Sequence, residues 1–179
     1  MPTAAVIGTD ARMMTALTSN TISEAVSNGV WLQVLQNYFL PDKFIIAPEQ
    51  NNQTGRADLM VFVMHNDKND NLCWDPIFTL EGKTPGDSIK QTYIDQASGY
   101  ISSLASHHSF KGRKFGMLVA GQEVVLLVNN GGDKSTQWNW EDANTDEYKY
   151  NPGLVNVWGI GEQGYKVESF LADFAQKFQ

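Results

Sequence analysis

Residues 57–64 read ADLMVFVM and residues 76–83 read PIFTLEGK, and each stretch predicts a β-strand. Both are short and almost wholly apolar, which is typical of strands buried on both faces. Polar residues 65–74 separate them, and the strand breakers Pro85 and Gly86 follow the second. We therefore expect two antiparallel neighbours joined by a hairpin loop.

Three charged side chains stand out in these strands: Asp58 near the start of the first, and Glu81 and Lys83 at the end of the second. Because side chains alternate along a strand, Glu81 and Lys83 project from one face, while Gly82 between them leaves its backbone carbonyl accessible. Antiparallel pairing brings Asp58 beside them, and burial of these carboxylates then requires a cation, a metal or water.

Two carboxylates and a backbone carbonyl form an all-oxygen set of ligands, which suits Mg²⁺ or Mn²⁺. The Lys83 amine beside them is placed to orient an attacking water or to stabilise charge on a phosphate. The pattern of Asp58, Glu81 and Lys83 therefore predicts a divalent cation bound next to a phosphate.

A helix is predicted over residues 88–105, where apolar residues recur at spacings of three and four. Gln96 and Tyr100 are four residues apart and share one helical face with Tyr93. We expect the Gln96 amide and the Tyr100 hydroxyl to hold the Lys83 amine, a water or a nucleic-acid phosphate.

The remaining pattern predicts one domain, because 179 residues with 42% hydrophobic content suffice for a single core. We expect a loose N-terminal segment, residues 1–20, with one helical turn near residues 12–17, and a domain over residues 21–179. The fold class is α/β (α+β): a central mixed β-sheet flanked by helices, in the order αβββαβ plus C-terminal strands and a helix. The other expected elements are a helix over residues 22–40, strands over 43–48, 114–120, 123–129 and 155–160, and a closing helix over 167–178.

The ordered set Asp58, Glu81-x-Lys83 and Gln96-x-x-x-Tyr100 in this frame resembles the PD-(D/E)XK, or restriction-endonuclease-like, nuclease superfamily. The Gln-x-x-x-Tyr element is similar to that of the RecB-type exonuclease branch. The resemblance covers roughly residues 22–120. It departs from the family pattern at Ala57, where Pro commonly stands. Members of the family often show this replacement of Pro.

The resemblance implies a restriction-endonuclease-like core and a nuclease that hydrolyses phosphodiester bonds of DNA or RNA with Mg²⁺ or Mn²⁺. Asp58 and Glu81 would be metal ligands together with the backbone carbonyl of Gly82, and Lys83 would be the catalytic lysine. The Gln and Tyr of the helical element would support them.

In many members a glutamate from the first helix completes the metal shell. Glu24 is the candidate here and Glu49, at a strand end, is a rival, since no local motif decides between them. Each residue also has an ordinary explanation: Glu81 and Lys83 as a surface ion pair, Asp58 as a turn cap, Glu24 as a first-turn acid that suits the helix dipole.

The net charge of −7 opposes nucleic-acid binding, which normally uses a basic surface. Much of the excess acid lies in residues 141–147. The phosphate contacts we expect are a basic cluster after the helix and two further cations: Lys111, Arg113 and Lys114, with Arg56 and Lys90. The acidic charge keeps open an alternative, a catalytically inactive nuclease-fold binding or interaction module.

A single cysteine, Cys73, excludes an intramolecular disulfide, and no N-terminal signal or membrane-length apolar run is present. We therefore expect an intracellular protein with a nucleic-acid substrate and no membrane partner. The literal dinucleotide fingerprint at residues 159–164 is expected to be a Gly-rich turn. DNA versus RNA, internal versus end-dependent cleavage, the number of metals and the oligomeric state stay open.

Overall fold

The computed structural model describes residues 11–19, 22–52, 55–132, 135–137 and 158–178. A mixed sheet flanked by helices is confirmed as the fold class. In chain order its elements are α1 (Ala11–Thr18), α2 (Glu24–Gln36), β1 (Phe44–Asn52), β2 (Gly55–Asn66), β3 (Leu72–Lys83), α3 (Gln91–Ser102), a 3-10 turn (His108–Phe110), β4 (Lys114–Ala120), β5 (Glu123–Asn129), β6 (Thr136–Gln137), β7 (Trp158–Gly159) and α4 (Ile160–Gln176).

The strands form one sheet in the order β1-β2-β3-β4-β5-β6, with β7 also pairing with β5. The β2–β3 pair is antiparallel, as predicted, with Leu59 opposite Leu80. β3 and β4 run parallel, with Glu81 opposite Leu118, and the other described pairs are antiparallel. Parallel neighbours need a crossover, which α3 supplies, so α3 is held against the sheet beside the end of β3.

Helices cover both faces of the sheet. On one face α2 and α4 pack through Trp31, Leu35 and a cluster of phenylalanines that includes Phe170 and Phe174. On the other face α3 buries Ile94, Ala97 and Ile101 together with Leu118 and Val125 of the sheet. β3 lies between these layers, so its last residues are reached from α2 on one side and from α3 on the other.

Several elements have bounds that differ from the prediction. α2 begins after Ser23, whose hydroxyl accepts a hydrogen bond from the backbone N–H of Val26, and it ends before Asn37. α3 is shorter than residues 88–105 at both ends. The β2–β3 hairpin is longer than predicted because the Asp67 carboxylate accepts hydrogen bonds from the N–H groups of Asn69 and Asn71, which closes a short turn.

The chain ends also differ from expectation. Residues 11–18 form a helix with Leu17 buried, so this part of the predicted loose segment is packed; residues 1–10 and 20 lie outside the described residues. Of the predicted strand 155–160, residues 158 and 159 form β7 and residue 160 begins α4, while residues 155–157 lie outside the described residues. The turn predicted at residues 159–164 is wrong, because α4 starts at Ile160. Among the described helices, none has both the length and the apolar character needed to cross a membrane.

The packing of α3 on β4 is tested at Gly116. A Cβ there would lie 2.7 Å from Ile101 Cγ1 and 2.9 Å from Thr79 Cγ2, so Gly116→Ala should lower the free energy of unfolding by about 1–3 kcal/mol. Gly29 in α2 has open space for a Cβ, so Gly29→Ala should raise it by about 0.5–1 kcal/mol. Urea unfolding measures both; a shift of the same sign in the two variants would contradict this packing.

Candidate active site

The Glu81 carboxylate is the centre of the polar cluster at the end of β3. It is buried, with 2% of the residue exposed. Its Oε1 accepts hydrogen bonds from Lys83 Nζ at 2.7 Å and from Gln96 Nε2 at 2.7 Å. The Gln96 amide also donates to the Tyr100 hydroxyl at 3.0 Å. Strand alternation therefore places the lysine, and the crossover helix places the glutamine and tyrosine.

Asp58 joins the same cluster through the backbone. The register that pairs Leu59 with Leu80 puts Asp58 beside Glu81 on the neighbouring strand. Its Oδ2 accepts a 2.7 Å hydrogen bond from the N–H of Gly82. The structure thus brings Asp58, Glu81 and Lys83 together around one glycine, while their chemical roles stay predictions.

Burial raises the pKa of Glu81 to about 7, against the lowering effect of its hydrogen bond from Lys83, and the nearby charge of Asp58 adds to the rise. Among the described residues no donor reaches its second oxygen, Oε2, which is buried. Near neutral pH this carboxylate is therefore partly protonated, and its charged form has a donor at only one of its two oxygens among the described residues.

The Lys83 ammonium is stabilised in its charged form. Burial lowers its pKa, but the hydrogen bond from Lys83 to Glu81 and the charges of Glu81, Glu24 and Asp58 outweigh this, so its pKa lies above the ordinary value. Its Nζ also lies 5.2 Å from the ring centroid of Tyr93, within cation–π range. Lys83 is therefore a cation and hydrogen-bond donor at neutral pH, not a base.

The two candidates for a further carboxylate differ in their partners. Burial, Asp58 and Asp87 raise the pKa of Glu24, while Lys83 lowers it, so Glu24 belongs to the electrostatics of the cluster. The Glu49 carboxylate instead forms an ion pair with Arg56, with 3.1 Å between Arg56 Nη2 and Glu49 Oε1, and both side chains are largely exposed. Glu24 is therefore the better placed of the two.

A cleft of about 390 Å³ lies between α2 and the β1–β2 pair and reaches Asp58. Glu24, Glu49 and Arg56 line it. Within the described residues, no group of three or more His, Cys, Asp or Glu side chains forms a metal site. Any cation bound here therefore relies on two carboxylates at most, on neutral oxygens and on water.

The predicted basic cluster of Lys111, Arg113 and Lys114 does not lie near Asp58, Glu81 and Lys83. Lys114 donates from Nζ to the carbonyl of Ser102 at 2.6 Å, at the end of α3. Because Ala120 is the β4 partner of Lys83, Lys114 lies six residues away along β4, about 20 Å from the cluster. Lys111 and Arg113 precede Lys114 at that same distant end.

Two other predicted cations lie closer. Arg56 lines the cleft beside Asp58, and Lys90 Nζ lies 5.6 Å from the ring centroid of Tyr93, the ring that also contacts Lys83. Of the five expected phosphate contacts, these two have positions that suit the cluster.

Asn28 is a cleft residue that the sequence analysis missed. It lies on α2, one turn after Glu24, and a Cβ on Gly82 would collide with its Oδ1. A signal was present: Ser27, Asn28 and Gly29 are three successive weak helix formers inside a helix. Asn28 also shares the helical face of Glu24, since the two are four residues apart.

No protein-family model, curated protein or solved structure matches this chain. The resemblance to PD-(D/E)XK nucleases therefore depends on the sequence pattern alone.

The raised pKa of Glu81 predicts a pH-dependent stability. Since its pKa is about 7 in the fold and about 4.5 when unfolded, its contribution is complete below pH 4.5 and is lost as the pH rises through 7. Glu81→Gln lacks this loss. Its free energy of unfolding, minus that of the wild type, should therefore rise by on the order of 2 kcal/mol between pH 4.5 and pH 8.5.

Urea unfolding in chelator at a series of pH values measures this difference. Glu49→Gln, which changes an exposed glutamate on β1, two strands away in the same sheet, is the matched control. A wild-type minus Glu81→Gln difference that stays constant over this pH range would show that Glu81 is not the titrating group.

Proposed function

We propose that this protein is a divalent-metal-dependent nuclease that hydrolyses phosphodiester bonds of DNA or RNA on a restriction-endonuclease-like core. The observation that carries the proposal is the arrangement of Asp58, Glu81 and Lys83 around Gly82, with the Gln96–Tyr100 pair bound to Glu81. A buried acid, a second acid and an ammonium at the ends of adjacent strands form a site for phosphate chemistry.

The topology supports the finer assignment of the fold. α2, three antiparallel strands, the α3 crossover and β4 follow one another in the order αβββαβ. The polar cluster lies where β3 ends and the chain turns towards α3, so the crossover helix supplies side chains to it.

The donor set fits a hard divalent cation. Asp58, Glu81 and the Gly82 carbonyl are the groups that would hold it, with water completing the shell. Glu24 would add negative charge nearby rather than a third carboxylate ligand. The buried, unpartnered Oε2 of Glu81 and the mutual repulsion of Glu24 and Asp58 both favour added positive charge. A bound Mg²⁺ or Mn²⁺ would supply Lewis-acid polarisation of the phosphate and a more acidic water.

The chain's own side chains account for the rest of the chemistry. Lys83, which stays charged at neutral pH, donates to the attacking water or to an oxygen of the scissile phosphate. Gln96, oriented by Tyr100, fixes the Glu81 carboxylate. Arg56 and Lys90 offer further contacts to the phosphate chain on either side.

The proposal predicts metal-dependent cleavage. With Mn²⁺, the wild type should degrade single- or double-stranded DNA or RNA, chelator should abolish this, and Lys83→Ala should lower the rate by at least about 100-fold. Lys68→Ala, in the hairpin turn far along the sheet, is the charge-matched control and should retain full activity. Equal, chelator-insensitive background in wild type and Lys83→Ala would refute the nuclease.

A second candidate is a binding module that keeps this fold without turnover. It is favoured by the net charge of −7 and by the lack of a three-residue acidic or histidine metal group in the described part of the chain. Such a module has no need of a metal, so the two candidates differ in metal linkage.

Metal linkage is measured by thermal unfolding. For the nuclease, Mn²⁺ at 100 times its Kd should stabilise the wild type by about 2.7 kcal/mol. This raises the melting temperature by several degrees. In Asp58→Asn the rise should disappear. A melting temperature that is the same with Mn²⁺ and with chelator would instead support the binding module.

A further inference from the structure

The amide of Asn28 is a polar group that the proposed mechanism leaves unused. Its Oδ1 is buried, and within the described ranges it has no hydrogen-bond donor. An unpaired buried acceptor is destabilising, and Asn is also a weak helix former. In α2 this residue is therefore unfavourable on two counts.

The position of this oxygen relates it to the candidate metal centre. Asn28 Oδ1 lies so close to Gly82 that a Cβ on the glycine would collide with it. The N–H of that same glycine donates to Asp58, and the flanking residues are Glu81 and Lys83. Asn28 therefore meets this glycine from the α2 side of the sheet, where it lines the same cleft as Asp58 and Glu24.

The chemistry of the surroundings narrows what could donate to this oxygen. The Gly82 N–H is already bound by Asp58, and Lys83 Nζ donates to Glu81. Water in the shell of a divalent cation is a strong donor, and Mg²⁺ in proteins keeps several such waters. A neutral amide oxygen accepts from them without adding charge to a centre where Asp58 and Asp87 already repel the Glu24 carboxylate.

We propose that Asn28 is a positioning residue of the metal centre, whose amide oxygen accepts a hydrogen bond from a water of the cation held by Asp58 and Glu81. This inference rests on the proposed function. It explains why α2 carries a weak helix former with an unpaired oxygen against Gly82. Groups that orient bound water in this way typically change metal affinity 10- to 100-fold.

The test is a Mn²⁺ titration of the melting temperature for the wild type, Asn28→Ala, Asn28→Asp and Asp58→Asn. Asn28→Ala should weaken Mn²⁺ binding about tenfold while leaving the metal-free melting temperature equal or higher, because it removes an unpaired oxygen from a helix. Asn28→Asp, which keeps an oxygen at that place, should restore or tighten binding. Gln33→Ala, at an exposed position of α2, is the control and should match the wild type.

The outcomes separate this inference from the proposed function. An unchanged Mn²⁺ midpoint in Asn28→Ala, beside a wild-type response that Asp58→Asn abolishes, overturns the role of Asn28 and leaves the nuclease standing. A lower metal-free melting temperature with that unchanged midpoint would identify Asn28 as a packing residue. A wild type that does not respond to Mn²⁺ overturns both.

Discussion

A carboxylate buried at the end of a central strand must be compensated, and the compensation of Glu81 organises this part of the molecule. Desolvation of such a group costs several kcal/mol. Lys83 meets this cost through strand alternation, two residues along β3. Gln96 meets it through the α3 crossover, which exists because β3 and β4 are parallel. The local pleat and the global topology therefore both supply a donor to one oxygen of Glu81, Oε1, while Oε2 has no donor among the described residues.

On the α2 side of β3, Gly82 has no side chain, and this determines how closely the helix can pack. Gly82 lets α2 approach so closely that Asn28 lies against the strand backbone. The Gly82 N–H remains available to Asp58 from the neighbouring strand. One glycine thus fixes the distance between a helix and a strand and links two acidic positions, which explains why the residue between Glu81 and Lys83 has no side chain.

Local rules predicted much of this from the sequence. The bounds of β4 and β5 are confirmed, and the proximity of Gln96 and Tyr100 followed from helical spacing alone. The length of the β2–β3 hairpin could not be predicted in this way, because it depends on how Asp67 closes the turn. Asn28 was missed for a deeper reason: its importance comes from packing against a residue more than fifty positions away, which no local pattern encodes.

The difference between local sequence patterns and long-range packing also explains why the predicted basic cluster was misplaced. Lys114 is close to Lys111 and Arg113 in sequence, which suggested one phosphate-binding surface, yet the parallel register places all three at the far end of β4. The charge near Glu81 therefore comes from acids, with Lys83 as their counter-ion. Under the proposed function, a polyanionic substrate would be repelled by this centre until a divalent cation reverses its charge. Metal and substrate binding would then be positively coupled, and by linkage each would strengthen the other.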